Sequence, residues 1–180
     1  MRKFLNISLL LLFTGWFSGE LMAQPPAEEQ VKAAFLFNFT QFIEWPDSAF
    51  PYKGAPLIIG VYGNNPFGSF LENLIDKEYS GTHPIVVRYV KSPDEISQCH
   101  ILYIEPGFRV KVKEVLEITE HKAVLTVSDA ENFIEIGGMV RFKNVDNRIR
   151  FQINPDKPGA AGIKISSKVL RLAEIASNSQ

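Results

Sequence analysis

Four short apolar runs, 57–62, 84–90, 100–104 and 123–127, punctuate the chain, and amphipathic stretches at 67–75, 92–97 and 110–121 fill the gaps between them. Runs so rich in Val, Ile and Leu suit strands buried on both faces of a sheet. The stretches between them have helical spacing. Within 110–121, Val112, Val115, Leu116 and Thr119 fall on one side, and Lys111, Lys113, Glu114 and Glu117 on the other. Ser92 followed by Pro93 is a helix start, because proline at the first helical position gives up an N–H that has no partner there. Strands alternating with helices predict right-handed crossovers and a mainly parallel sheet. The expected fold class is α/β, a three-layer sandwich with helices covering both faces of the sheet.

The period changes after the fourth run. Ser128 and Asp129 end the strand, 130–136 has room for two helical turns, and Gly137-Gly138 would stop them. Residues 139–145 and 148–153 then alternate with period two. Val140, Phe142, Ile149, Phe151 and Ile153 share one side, while Arg141, Lys143, Arg148 and Arg150 share the other. Asp146-Asn147 supplies the two-residue turn between the arms. The pattern predicts a C-terminal antiparallel hairpin with one dry face and one cationic face.

At the start, 28–45 reads as a helix with Glu28 and Glu29 in its first turn. Val31, Phe35, Phe39 and Phe42 form its stripe, and Leu36, Phe37 and Ile43 widen it enough to be covered on two sides. Trp45-Pro46 ends it. Near the other terminus, Pro155 and Pro158 oppose a regular helix, and 165–176 reads as a final helix capped by Ser166, with Val169, Leu170, Leu172, Ala173 and Ala176 inward.

Residues 1–23 stand apart. Arg2 and Lys3 precede the apolar run 4–17, and Leu21-Met22-Ala23 follows, which is the layout of a secretory signal peptide cleaved after Ala23. The run is shorter than the roughly 20 apolar residues a spanning helix needs. The expected organisation is a signal peptide at 1–23 and a single α/β domain at 24–180, exported to the periplasm with no membrane insertion after cleavage. Losing Arg2, Lys3 and Glu20 shifts the net charge from −1 to near −2. That balance argues against nucleic acid as a partner, since such affinity rests on excess Lys and Arg. Cys99 is the one cysteine, so no internal disulfide is available; it reads as a small buried side chain, an intermolecular pairing or reactive thiol being the alternative.

Chemistry is scarce. His83, His100 and His121 lack companions at metal-ligand spacing, and no nucleophile elbow accompanies Ser128 and Asp129. No catalytic, metal or cofactor residue is assigned, and the chain is read as not an enzyme. Two candidate surfaces remain. Arg141, Lys143, Arg148 and Arg150 form either a solvated face or a docking face for an acidic partner. Gly63, Asn64 and Asn65, with Ser128 and Asp129, would line a ligand crevice at the carboxyl ends of the strands.

Three segments together resemble a known family. KAAFLFNFTQFIEWP at 32–46, VLTVSDAENFIEIGGMVRF at 124–142, and IRFQIN at 149–154 followed by GIKISSKVLRLA at 162–173 look like the YfiR-type (HmsC-like) periplasmic domains. The resemblance implies Rossmann-like layering without a nucleotide site, and often a homodimer. It also implies repression of a membrane-bound diguanylate cyclase through its periplasmic part, relieved by an OmpA-like outer-membrane lipoprotein. The chain departs from the pattern in its single cysteine and in Pro155, Pro158 and Gly159, which occupy a segment usually helical in the family. The function expected is therefore a periplasmic repressor of a diguanylate cyclase, acting by contact in cyclic di-GMP signalling and biofilm control. A small-molecule binding domain feeding a sensor or transporter is the alternative.

Overall fold

The computed structural model describes residues 27–176, so the proposed signal peptide lies outside the described residues. In chain order, helix α1 (Glu28–Phe42) leads into the two-residue strand β1 (Ile43–Glu44), followed by β2 (Leu57–Tyr62), α2 (Phe70–Ile75), β3 (Tyr79–Ser80) and β4 (His83–Val90). Next come α3 (Pro93–Ser97), β5 (Ile101–Ile104), α4 (Arg109–Thr119) and β6 (Leu125–Ser128). The hairpin β7 (Val140–Val145) and β8 (Arg148–Ile153) precedes α5 (Asp156–Ala160), β9 (Lys164–Ile165), α6 (Ser167–Leu172) and β10 (Glu174–Ile175).

Eight strands form the main sheet in the order β3-β4-β2-β5-β6-β7-β8-β10. The five strands from β4 to β7 run parallel, β8 returns antiparallel to β7, and β10 adds parallel to β8. The first apolar run thus becomes the pivot of the sheet, with β4 on one side and β5 on the other. On one face, α1, α2 and α6 bury Leu36, Phe39, Leu71, Ile75 and Val169 against Ile59, Tyr103, Val127, Phe142 and Phe151. On the opposite face, α3 and α4 bury Ile96, Val112 and Val115 against Ile58, Leu102 and Ile104. This is the three-layer α/β sandwich expected from the sequence.

Several local readings hold to the residue. Ser92 caps α3 with Pro93 at the first position, and Glu95, not singled out in the sequence, completes a reciprocal capping box. Asp146 and Asn147 both take positive φ, 51° and 57°, the geometry of the turn whose twist matches two antiparallel strands. On the dry face of the hairpin, Phe151 lies edge-on to Phe35 at 5.2 Å and to Phe39 at 5.3 Å, which clasps α1 onto the sheet. Cys99 is free and buried, and burial pushes its thiol up to about 12.

Four readings are corrected. Helix α1 ends at Phe42 rather than at Trp45, because Ile43 and Glu44 pair antiparallel with Ile165 and Lys164. Residues 131–137 form successive turns instead of the helix expected over 130–136. There Phe133 inserts fully into the core, and the backbone of Gly138 passes so close that an added Cβ would lie 2.3 Å from the Phe133 ring. Despite its prolines, 156–160 is helical: Pro158 is the third residue of α5, where the N–H has no intrahelical acceptor to lose. Asn154 Oδ1 accepts from the N–H of Asp156 at 3.0 Å and opens that helix. Finally, 165–176 is not one helix. Lys164 and Ile165 are strand, Ser166 occupies the N-cap position of α6 without a capping bond, and Ala173 turns extended so that Glu174 and Ile175 can join the sheet.

Candidate functional site

The strand order places a crossover reversal between β2 and β5, the point where open α/β sheets commonly hold ligands beyond the carboxyl ends of their strands. The predicted crevice residues do gather at this end. Gly63, with φ of 104°, turns the chain out of β2, and Asn64 is exposed. Asn65 then ties the turn together, accepting from the Phe67 N–H at 2.9 Å and donating to the Gly68 carbonyl at 2.8 Å and the Tyr89 hydroxyl at 3.0 Å. Across the reversal, buried Ser128 donates from Oγ to the Ile104 carbonyl at 2.7 Å and accepts from the Ala130 N–H at 3.2 Å. The two halves meet where Phe67 lies edge-on to Tyr103 at 4.8 Å.

Asp129 is the centre of this end. One oxygen accepts from the Tyr103 hydroxyl at 3.1 Å, and the other is paired with the ammonium of Lys32. Lys32 in turn pairs with Glu28, one helical turn earlier on α1, at 2.6 Å. Lys32 is buried at 6% exposure and was not singled out in the sequence. A signal was there: Lys32 lies at i, i+4 and i+7 with Leu36 and Phe39, so a lysine sits within the apolar stripe. Burial alone would lower its pKa, but Asp129 and Glu28 together hold its ammonium above the ordinary lysine range. Burial raises the Asp129 carboxyl, with Lys32 opposing, whereas the more exposed Glu28 is held low by Lys32. The charged lysine between two carboxylates is the stable arrangement, and Asp129 is the member that takes up a proton first on acidification. Burial, and then Asp129, raises the Tyr103 phenol far above its usual range.

The hairpin residues occupy the other candidate surface. Register places Arg141 opposite Gln152, Lys143 opposite Arg150 and Val145 opposite Arg148, so all four cations share one face as expected. Lys143 is paired with Glu174 on β10, while Arg148 and Arg150 are exposed. Arg141 is half-buried, with its Nε lacking a hydrogen-bond partner among the described residues. The apolar layer over this side of the sheet draws on β2, β4, β5, α3, α4 and the segment 124–133, and takes no buried residue from β7 or β8. The two faces of the hairpin therefore differ in kind, one packed under α1 and one basic and open at Arg148 and Arg150.

Among the described residues there is no cluster of His, Cys, Asp and Glu arranged to hold a metal ion, and no helix long and apolar enough to cross a membrane. The comparison with known families agrees with the architecture built above. A family model described as YfiR/HmsC-like matches residues 29–174, from the first turn of α1 to the edge strand β10, and the chain belongs to that family.

Proposed function

We propose that the protein is a periplasmic regulator that represses a membrane-bound diguanylate cyclase by contact with the cyclase's periplasmic part. The family is one of periplasmic regulatory domains associated with cyclic di-GMP signalling, and that membership supports the general role. The observation that carries the contact is the basic face of the hairpin, where Arg148 and Arg150 stand exposed beside half-buried Arg141 and the Lys143–Glu174 pair, on a sheet backed by α1. A fixed array of cations steers and orients an acidic partner. Binding one conformation of the cyclase's periplasmic part shifts its population away from the active state. In this reading the chain is exported through the signal peptide at 1–23, folds as one domain and does no catalysis. An OmpA-like lipoprotein that removes it from the cyclase, and a homodimer, complete the proposal.

The small-molecule alternative at the strand tips draws less support. Asn65, Ser128 and Asp129 are all engaged with protein groups, and Lys32 is the cation already shared by Glu28 and Asp129. A phosphate or carboxylate entering there would meet more acid than base. The deciding experiment combines Arg148→Glu with Arg150→Glu and measures affinity for the cyclase's periplasmic part. A loss of about tenfold or more at unchanged thermal stability is expected, with cellular cyclic di-GMP rising, as is also expected on deleting the gene. Unchanged affinity overturns the docking face.

A further inference from the structure

The main sheet has an edge strand of two residues at each side, and the two edges are finished differently. At one, α1 closes over β3: Gln41 Nε2 donates to the Tyr79 carbonyl at 3.0 Å, and Ser80 Oγ donates to the Thr40 carbonyl at 2.5 Å. At the other, β10 has β8 as its single neighbour, with no such closure among the described residues. The Ala176 N–H donates to the Ile153 carbonyl at 2.9 Å. Successive residues of a strand turn their main-chain groups to opposite sides, so the N–H and carbonyl of Ile175 are directed away from the sheet. Main-chain groups left open at an edge are a template for one more strand.

The surroundings of β10 define the strand that would fit. Ile175 is 52% exposed and Leu172, at the end of α6, is 69% exposed, so the open strand is flanked by uncovered apolar surface. Charge around it is one-sided. From 148 to 176 the chain carries six Lys and Arg against two Asp and Glu, although the whole chain is nearly balanced at 19 against 20. Of those two acids, Glu174 is already paired with Lys143, whereas Arg148, Arg150, Lys164, Lys168 and Arg171 are exposed. A second copy of this chain, paired edge to edge, would bring the excess of cations against itself, and an acidic strand would neutralise it. An added strand sends alternate side chains to opposite faces of the sheet. Ile175 shares the α6 face with Ile153, and Arg150 shares the other with the Lys143–Glu174 pair.

We propose that β10 accepts an extended acidic segment of a protein partner as an additional strand, its apolar residues lying on the α6 face and its Asp and Glu residues on the basic face of the hairpin. The proposal rests on the docking reading only for which protein supplies the segment, and a peptide probe lets the two fail separately. The test is a titration of the isotope-labelled protein with a short blocked peptide alternating glutamate and valine, followed by the amide signals of Ile175, Ala176 and Arg150. Saturable shifts with a dissociation constant of about 1 mM or tighter are expected. The backbone N-methylated peptide keeps its side chains and charge but cannot donate to the edge, and should bind about tenfold more weakly. A peptide alternating lysine and valine should lose as much, through charge. Ile175→Pro removes the outward N–H at a position where an edge strand tolerates proline, and should weaken the acidic peptide by a similar factor. Signals that do not move, equal affinity for the methylated or the lysine peptide, or wild-type affinity in Ile175→Pro would each overturn the assignment. So would sedimentation showing that the protein alone is a dimer which Ile175→Pro dissociates, since the occupant of the edge would then be a second copy.

Discussion

The two ends of the parallel strands solve the same problem in opposite ways. At the carboxyl end, polar side chains that could receive a ligand satisfy one another: Lys32 lies between Glu28 and Asp129, Tyr103 donates to Asp129, and Ser128 stitches β5 to the chain leaving β6. At the amino end, the segment 48–56 borders a cleft whose rim carries Arg88 and whose floor holds the buried ring of His100, with Phe50 stacked on the His83 and His100 rings. The lesson is that the topological switch point marks where a ligand can bind in this architecture, and not where space is left for one. Here a salt-bridged plug closes the usual place.

The largest test of that contrast is Lys32→Met. It strands Asp129 in a buried position without its counter-charge, and a loss of roughly 3–5 kcal/mol is expected from urea unfolding. Adding Asp129→Asn should restore much of it; a single mutant as stable as the wild type would mean that the plug is not closed. A smaller effect is expected at the other end, from pH. His100 has its folded pKa lowered to about 4, so its contribution is present above the unfolded value near 6.5 and is lost as pH falls toward 4. Between about pH 8 and about pH 5 this amounts to about 2 kcal/mol, read as the difference between the wild type and His100→Gln. Asp129, whose carboxyl is raised, acts with the opposite sign, and the subtraction removes it. Arg88→Gln, on the rim, should change stability by less than about 0.5 kcal/mol. The three effects therefore fall in size from plug to floor to rim.

Much of this was legible in the chain. The sheet, its mainly parallel sense and the hairpin followed from runs of Val and Ile and from one change of period, because those signals are local. Glu95, three residues after Ser92, was not singled out, although its signal was equally local. The failures were non-local. Nothing near Ile43 says that it will pair with Ile165, and nothing near Glu174 says that it will lie beside Gln152, so helical spacing at both places over-extended a helix. The cationic face was readable from alternation alone. The plug was half readable: Asp129 stood out as a turn residue, whereas Lys32 went unnoticed because a charge inside an apolar stripe acquires meaning only when its partner is known. His100 offered no sign of its place in the core, which depends on the Ile58 N–H donating to Nδ1 and on Phe50 closing over the ring.

The pairing of β1 with β9 has a kinetic side. It joins residues from opposite ends of the described chain through only two positions on each strand, and such ties cannot form until nearly everything between them is in place. The β7–β8 hairpin needs no such wait. Assembly should therefore nucleate near the hairpin and finish by latching this short ladder, which makes refolding slower than the helix content would suggest. Weakening the latch should hasten unfolding while hardly altering the rate of collapse.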